Sequence, residues 1–322
     1  MHDQGFYTGR HRPQASSPPH KVKPLSDNSG LVWADGPFPH LRFADLNGYD
    51  AFSHGVFTRL GGGSGPPYDS LNTSYTVGDR PVCVDDNLIR IEKAIGAGPL
   101  LFLNQVHEDD FLVIGGERAP IPKTIRRADA LMTDRPGFPL MIKLADCQSV
   151  ILYDPVQGAV ANVHCGWRGH VKNILAKTVD GMAAGFGCRA SDIVAAVSPS
   201  LGGPCCAEFT THEEIFPVHF KEHMVRKDYF DLWDLSRRQL IEAGVKDVNI
   251  HISGICTRCR TDLFFSHRAE GLTGRFCTVA MLVDEGKRSR KSEVGSQKSA
   301  PPLAEGTAPP KDGGISATLR QV

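Results

Sequence analysis

The residues best suited to chemistry are two histidines and one cysteine, each of which follows an apolar run. His107 ends the tetrapeptide Asn-Gln-Val-His, Cys147 ends Ala-Asp-Cys, and His164 begins His-Cys-Gly-Trp-Arg-Gly. Two imidazoles and one thiol form a ligand set that zinc uses at catalytic sites, where a fourth position stays open. The three are widely spaced, and on spacing alone hydrogen-bonded histidines and a small buried thiol are the simpler explanation.

The segment that begins at His164 carries a second signal. Gly166 and Gly169 lie between a predicted strand and a predicted helix, with Arg168 between them. A glycine turn that opens a helix directs backbone N–H groups and a positive dipole toward the crevice, and arginine adds a fixed cation. The segment therefore predicts binding of an anion such as phosphate. A tight turn with its tryptophan packed in the core explains it equally well.

Two further polar segments contain candidate binding residues. Arg59 precedes three consecutive glycines, and Asn72 follows shortly after, but this loop lacks the Gly-Lys-Ser/Thr ending of a Walker motif. Ser266, His267 and Arg268 are consecutive and are followed by a Thr-Gly-Arg segment. Such residues suit contacts to phosphate or to a nucleotide edge, although a polar loop before an edge strand is the simpler alternative.

Cys256 and Cys259 form a single CxxC pair. A zinc ribbon needs two such pairs, and the adjacent residues Cys205 and Cys206 do not have the spacing of a second one. We therefore interpret the CxxC pair as structural or incidental.

The hydrophobic pattern predicts interleaved strands and helices. The predicted strands are 56–58, 140–144, 150–153, 160–163, 193–197, 248–252 and 276–283. The predicted helices are 86–95, 171–184, 231–243 and one that Thr211 and Glu214 open as a capping box. Turn residues at Asp154, Pro155 and Gly158 predict a hairpin, so the sheet cannot be all parallel. The expected fold is α/β to α+β, a single layered domain with mixed β-sheets and flanking helices.

Composition narrows the classes of function. The 322 residues carry 36 Lys and Arg against 36 Asp and Glu, so the net charge of zero argues against nucleic acid or an anionic membrane as main partner. Apolar runs are too short for a transmembrane helix, and the first residues lack a secretory pattern. The nine scattered cysteines suit a cytoplasmic enzyme with free thiols or a metal site.

Both ends of the chain are expected to be disordered. Residues 1–30 are poor in apolar side chains, and residues 286–322 contain no aromatic residue. Such segments cannot bury enough apolar surface to offset the entropy of ordering. The predicted folded domain is therefore 31–285.

Eight segments, in this order, resemble a known family, first described as laccase-like polyphenol oxidases and later as purine nucleoside phosphorylases, with bacterial and animal members. The segments are FTRLGG with SLN, NQVH, ADALMTD, LADCQSVILYDP, ANVHCGWRG, SPSLGGPCCAEF, IC followed by FFSHR, and LTGR. The resemblance covers about residues 50–283, and the order of all eight makes it specific.

The resemblance implies a mononuclear zinc site formed by His107, Cys147 and His164. It also implies phosphorolysis of adenosine, inosine and S-methyl-5′-thioadenosine, with adenosine deamination as a second activity. The partners would then be a purine nucleoside and phosphate, and the fold a single mixed α/β domain. Cys165 stands where the family commonly has alanine, and Ala207 where an aromatic is usual. The second difference is expected to change the pocket and thereby substrate preference.

Within this framework we assign hypothetical roles by proximity to the ligand motifs. Arg59, Arg168 and Arg268 are candidates to bind phosphate or transition-state charge, and Asp146 and His267 to transfer protons. A second set of residues is expected to bind or orient the substrate: Asn72, Gln105, Gly166 and Ser266.

Three other functions compete with this one. Copper could occupy the zinc site, but multicopper phenol oxidation needs many more histidines, and the chain has no His-X-His pair. A cysteine hydrolase could use Cys147 as nucleophile and His164 or His107 as base, for example in editing cell-wall peptide precursors. A non-catalytic zinc-binding module would bind metal without turnover. The oligomeric state is left open.

Overall fold

Two six-stranded β-sheets pack face to face and are covered by helices on their outer faces. The structure, a computed structural model, describes residues 22–26, 29–36, 38–115, 126–203 and 205–283. The mixed α/β class predicted from the strand and helix pattern is thereby confirmed. Of the predicted tails at 1–30 and 286–322, residues 1–21, 27–28 and 286–322 lie outside the described residues.

Antiparallel pairs outnumber parallel pairs in both sheets, with one parallel pair in the first sheet and two in the second. In spatial order the first sheet comprises β1 (Leu31–Trp33), β2 (His40–Phe43), β3 (Phe52–Phe57), β14 (Phe276–Leu282), β7 (Leu140–Leu144) and β4 (Leu101–Phe102). The second comprises β13 (Ile250–Ile252), β10 (Val194–Val197), β8 (Gln148–Asp154), β9 (Ala159–Cys165), β6 (Ala130–Thr133) and β5 (Phe111–Val113). A small hairpin is formed by β11 (Met224–Arg226) and β12 (Tyr229–Phe230).

The hairpin β8–β9 lies at the centre of the second sheet, and its prediction is confirmed. Asp154 Oδ1 accepts hydrogen bonds from the backbone N–H groups of Val156 and Gln157 at 2.8 and 3.0 Å. Gly158 completes the turn with a φ of +63°, which glycine adopts without strain. Every residue of both strands is buried, because one face meets the first sheet and the other meets helices.

The core between the sheets is mainly aliphatic and aromatic, and it includes a small buried polar group around Asn162. Leu140, Ile151 and Phe276 belong to this core. Asn162 Nδ2 donates across the interface to Leu140 O at 3.0 Å, and its Oδ1 accepts from Ser149 Oγ at 2.6 Å. These hydrogen bonds offset the cost of burying polar groups and fix how the sheets align.

Helices cover the outer faces. Their bounds are α1 (Pro81–Ile95), α2 (Trp167–Val171), α3 (Ile174–Phe186), α4 (His212–Ile215), α5 (Leu232–Glu242) and α6 (His267–Glu270). The apolar face of α1 packs on the first sheet, while α3 and α5 pack on the second. Within the described ranges, no helix is both long and apolar enough to cross a bilayer.

Two helix predictions need correction. The helix expected at 171–184 is divided, because Asn173 adopts a left-handed φ of +53° and its side chain caps α3 by accepting from Ala176 N at 3.4 Å. The capping box expected at Thr211 is absent, since its side chain makes no cap hydrogen bond and α4 spans only four residues.

Residues 22–26 lie within the predicted N-terminal tail, yet they contact the fold. Lys23 N donates to Asp262 Oδ2 at 3.2 Å, and Arg260 donates to Lys23 O at 2.7 Å. Val22 and Leu25 pack against the core between the sheets. The prediction of a disordered tail missed Val22 and Leu25, because it used the low average apolar content of residues 1–30.

Candidate metal centre and its cavity

The structure brings His107, Cys147 and His164 together. Their ligand atoms all lie within 4.8 Å of one another. His107 follows β4, Cys147 lies between β7 and β8, and His164 is on β9. The centre therefore forms where strands of both sheets end at a common edge, which explains why no local sequence motif joins its residues.

Asp129 orients this cluster and was missed from the sequence. Its Oδ1 lies 2.7 Å from His164 Nδ1 and 3.0 Å from the backbone N of His107. Its Oδ2 accepts from the backbone N–H groups of Val106 and Glu108. A carboxylate that holds Nδ1 leaves Nε2 for a metal and fixes the ring orientation. In the sequence, Asp129 could have been noticed as a carboxylate that directly precedes the apolar strand β6.

Electrostatics favour ionisation of the thiol. Burial by itself raises the pKa of Cys147, but its hydrogen bonds with His107 and His164 lower that pKa to about 6. Burial likewise disfavours the charged form of His164, but hydrogen bonds with Asp129 and Cys147 raise the pKa of its imidazole to about 9. The thiolate, which is the form of cysteine that binds metals, is thus stabilised at this position.

The donor set and the space around it fit a zinc ion. Two imidazoles and one thiolate are common catalytic zinc ligands, and three protein ligands leave a position for water or substrate. Gly166 lies so close that an added Cβ would stand 2.9 Å from Cys147 Sγ and 3.5 Å from His107 Cδ2. A glycine at this position therefore keeps the ligand atoms accessible.

The cluster lines a cavity of about 480 Å³. This size is typical of small-molecule sites. Other sequence-predicted residues line the same cavity: Gln105, Asp146, Gly166, Arg168, His267 and Arg268. Three predicted residues, Arg59, Asn72 and Ser266, are not among its lining residues within the described ranges.

Four cationic side chains line this cavity, of which sequence reasoning selected only Arg168 and Arg268. The other two are Lys143 and Arg275. Burial and the nearby Arg275 lower the pKa of Lys143 to about 8. In the sequence, Lys143 stands out as a charged residue within the otherwise apolar strand β7. Arg275 ends the LTGR segment, one of the segments that resemble the family. Together the cations make the cavity suitable for an anion.

Aromatic side chains form another part of the cavity wall. The Arg168 guanidinium lies 4.4 Å from the ring centroid of Trp167, and that of Arg268 lies 5.8 Å from the centroid of Phe209. Arg268 also donates to Glu208 O at 2.9 Å. The cavity thus combines flat apolar surfaces with positive charge.

Asp146 connects three loops around the cavity. Its Oδ1 accepts from Thr257 Oγ1 and from Ser266 Oγ, both at 2.7 Å, and its Oδ2 accepts from Arg268 N at 2.6 Å. Ser266 is fully buried, and its hydroxyl also accepts from Ala269 N at the start of α6. Because these hydrogen bonds occupy it, Ser266 holds the loop in place from behind the cavity.

Arg59 binds protein groups. Its guanidinium donates to Asp69 O and Thr261 O at 2.9 Å and to Glu270 Oε1 at 2.8 Å. It also stacks on the Phe265 ring at 4.5 Å. The side chain is nearly buried and joins the glycine loop to the segment before α6.

Asn72 is fully buried and positions a neighbouring cation. Its Oδ1 accepts from the backbone N–H of Arg275 at 2.9 Å, and its Nδ2 donates to Asp79 Oδ2 at 2.9 Å. Gln105 makes a comparable pair with the Lys143 backbone, since its Nε2 donates to Lys143 O and its Oε1 accepts from Lys143 N. Both amides fix the backbone of residues whose charged side chains line the cavity.

Comparisons with known proteins agree on one family. The family model described as "Multi-copper polyphenol oxidoreductase laccase" matches residues 53–283. A protein of Bacteroides thetaiotaomicron named purine nucleoside phosphorylase is 32% identical over 75% of this chain and 96% of its own length. Escherichia coli purine nucleoside phosphorylase YfiH is 32% identical over 70% and 92%.

A solved structure shows the same relationship. The crystal structure of Bacillus licheniformis hypothetical protein YfiH matches with a TM-score of 0.70 at 28% identity, covering 78% of this chain and 98% of that one. The family model covers well over half of this chain, and both curated relatives are matched over nearly their full length. The chain therefore belongs to the multi-copper polyphenol oxidoreductase laccase family.

Proposed function

We propose that this protein is a zinc-dependent purine nucleoside phosphorylase that accepts adenosine, inosine and S-methyl-5′-thioadenosine, with adenosine deamination as a second activity. The observation that carries the proposal is the His107–Cys147–His164 cluster beside a cavity lined by cations and aromatic rings. The names of the curated relatives support the phosphorylase assignment. The cytoplasm suits it, because all nine cysteines are free thiols.

The metal would be held by His107, Cys147 and His164, with Asp129 orienting two of them. A bound zinc ion supplies Lewis acidity and lowers the pKa of water that it binds. The chain itself provides an anionic thiolate, an imidazole fixed through Nδ1 and a glycine that leaves the fourth position open.

In phosphorolysis, an oxygen of inorganic phosphate bonds to the ribose C1′ while the C1′–N9 bond breaks. The electron pair of the broken bond goes to the purine, which takes up a proton as it leaves. Arg168, Arg268, Lys143 and Arg275 would hold the phosphate and balance its charge beside C1′. His267, as the imidazolium, would supply the proton from Nε2, since its ring lines the cavity and its Nδ1 donates to Gly271 O at 2.7 Å.

The purine base would lie against Trp167 and Phe209, whose rings line the same cavity. In deamination, water adds to the purine C6, ammonia leaves, and the exocyclic C–N bond is replaced by a C–O bond. Both reactions would then use the same base-binding surface, with the ribose C1′ attacked in phosphorolysis and the purine C6 attacked in deamination.

Three residues expected to act on substrate are better assigned to positioning. Arg59, Asn72 and Ser266 bind protein groups, and each supports a loop that carries a cavity residue. Asp146 lines the cavity while accepting three hydrogen bonds, so we assign it to holding the loops together.

The test combines metal analysis with turnover of the full chain. We expect zinc in the purified protein and phosphate-dependent release of base from the three nucleosides. His107→Ala should lose both this zinc and base release. Cys83→Ala, which changes a cysteine on α1 outside the cluster, should keep both. Circular dichroism of each variant confirms folding.

Other outcomes would identify the competing functions. If the purified protein contained copper and oxidised phenols, it would be a polyphenol oxidase, as the older family description states. Hydrolysis without metal, blocked by iodoacetamide, would make Cys147 a nucleophile. Zinc with no turnover of any nucleoside would leave a binding module. Each of these results contradicts the phosphorylase proposal.

A further inference from the structure

A second cluster of thiols lies outside the metal centre. The sulfur atoms of Cys205, Cys206, Cys256 and Cys259 all lie within 4.8 Å of one another. Cys259 Sγ is 3.6 Å from both Cys205 Sγ and Cys206 Sγ. The sequence predicted that Cys205 and Cys206 do not supply a second pair for Cys256 and Cys259. This prediction was wrong, because folding brings the adjacent cysteines against the CxxC pair.

The sheet topology explains how the two pairs meet. β10 and β13 are neighbouring parallel strands, so the segments that follow them leave the sheet at the same edge. Cys205 and Cys206 lie in the segment after β10, and Cys256 and Cys259 in the segment after β13. The two segments are joined by Ser200 N to Ile255 O at 3.1 Å and by Thr257 N to Ser200 O at 2.9 Å.

The sulfur separations match a single tetrahedral ion. With Zn–S bonds of about 2.3 Å, tetrahedral thiolates stand about 3.8 Å apart. A disulfide needs about 2.05 Å, and all four cysteines are free thiols. A cluster of iron and sulfide is larger than one ion, so the compact arrangement favours a mononuclear site.

Backbone groups already support a thiolate here. Gly202 N donates to Cys256 Sγ at 3.3 Å, and the Cys259 backbone N–H also bonds this sulfur. Such N–H···S hydrogen bonds are typical of the surroundings of ligating cysteines. An added Cβ on Gly202 would stand 2.9 Å from both Cys205 Sγ and Cys256 Cβ, so the loop needs glycine to approach the cluster.

We propose that Cys205, Cys206, Cys256 and Cys259 bind one Zn²⁺ as a structural tetrathiolate site that joins the segments after β10 and β13. Ligation by four thiolates fills the coordination sphere, so this site binds no substrate.

The site would stabilise one wall of the cavity. Thr257, between the ligands of the CxxC pair, donates to Asp146 Oδ1, and Leu201 N donates to Asp146 O at 2.8 Å. Ser200, Leu201 and Phe209, from the segment after β10, line the cavity. Metal binding by these thiols is independent of the reaction proposed for the first centre.

Metal stoichiometry of the full chain tests the proposal. The wild type should contain two zinc ions, and the double variant Cys256→Ser/Cys259→Ser should contain one. Cys83→Ser is the matched control and should keep two. His107→Ala should lose the other ion, so failure of the first centre is distinguished from failure of the second. One zinc in the wild type, lost in His107→Ala and kept in the double variant, would overturn the site.

Three measurements on the wild type cover the case in which the double variant does not fold: cobalt(II) spectra, iron content and disulfide mapping. Cobalt(II) substitution should give the intense thiolate charge-transfer and tetrahedral ligand-field bands of a four-sulfur site. Bands with the intensity of a single thiolate would contradict it, as would iron in the isolated protein or a Cys206–Cys259 disulfide in mapped peptides. If the double variant folds, its Tm should be lower by roughly 10 °C.

Discussion

The two thiol-containing clusters differ in what surrounds them, and this difference underlies the separate roles that we propose for them. The His107–Cys147–His164 cluster faces a cavity of about 480 Å³, and the Asp129 carboxylate holds one of its imidazoles. The cluster formed by Cys205, Cys206, Cys256 and Cys259 lies between two loop segments, and backbone N–H groups donate to its Cys256 sulfur.

Ligand charge gives this difference a chemical meaning. Two neutral imidazoles and one thiolate leave a divalent ion with a net positive charge, so it remains able to polarise a substrate. Four thiolates make the same ion net negative and complete its coordination. The neighbours of each cysteine therefore determine the role that we propose for it: a ligand of a catalytic zinc ion for Cys147 and a ligand of a structural zinc ion for Cys256.

The largest expected effect comes from removing the thiolate of the first centre. Cys147→Ala should lower phosphate-dependent base release by at least about 1000-fold, because the metal loses its only anionic ligand. Zinc analysis should show that one ion is lost and the four-cysteine ion is kept. Retained turnover in this variant would remove the distinction between the two clusters.

A matched pair of glycine substitutions sharpens the comparison. Gly166→Ala should lower turnover by about 100-fold, because the new Cβ would stand 2.9 Å from Cys147 Sγ and displace this ligand. Gly202→Ala should instead lower the free energy of unfolding by about 1–3 kcal/mol, because it crowds Cys205, Cys256 and Trp233.

Turnover and urea unfolding of both glycine variants give the comparison directly. Gly166→Ala should mainly lower turnover, and Gly202→Ala should mainly lower stability to urea. Equal effects of the two substitutions on both measurements would argue against separate roles for the clusters.

The third prediction concerns the residue that orients His164. Asp129→Asn should reduce zinc affinity or turnover by about 10–100-fold, because it weakens the hold on Nδ1 while keeping the side-chain shape. Asp134→Asn, an exposed neighbour on the same segment, is the control. Competition with a chromogenic chelator measures the affinity. An Asp129→Asn protein with unchanged affinity and turnover would show that the carboxylate serves packing only.

The smallest effect involves the helices that connect the two regions. His170 on α2 bonds Gln239 on α5, and Trp233 of α5 donates to Ser200 Oγ beside the cysteine cluster. Burial lowers the pKa of His170 to about 4 from its ordinary value of 6.5. Because the unfolded chain takes up this proton first, stability is lost as pH falls from 6.5 toward 4.

Replacing this histidine should reduce the acid sensitivity. Between about pH 7.5 and about pH 5.5, the wild type should lose about 1.4 kcal/mol more stability than His170→Gln. Any release of metal by acid is common to both proteins and cancels in this difference. His219→Gln, an exposed histidine, should behave as the wild type does. Parallel stability curves for His170→Gln and the wild type would rule out this histidine as the acid-sensitive group.

Local pattern predicted much of the fold. The periodicity of α1, the Asp154–Gly158 turn and the buried run of β14 each depend on neighbours within a few residues, and each prediction was confirmed within a few positions. The break at Asn173 was missed, because apolar residues continue at helical spacing across it. Short strands such as β4 and β5 carry too few residues to show a period.

The candidate site was predictable only in part. Residue types and strand-end positions grouped His107, Cys147 and His164, and the family resemblance favoured them as metal ligands. A charged residue near them in sequence need not face the same cavity. Arg59 has the same sequence signature as Arg268, yet Glu270 and two backbone carbonyls bind its guanidinium. The sequence places Lys143 on a strand but does not show that its side chain faces the cavity, which the structure shows.

The sequence by itself determined the strand and helix pattern, the family and the residue types that could bind a metal. Only the tertiary structure decided which of these residues share a site. Asp129 meets His164, and Cys206 meets Cys259, because strands far apart in the chain end at one edge of a sheet. Local propensities act over a few residues, whereas sheet register and topology determine which distant loops come within ligand distance.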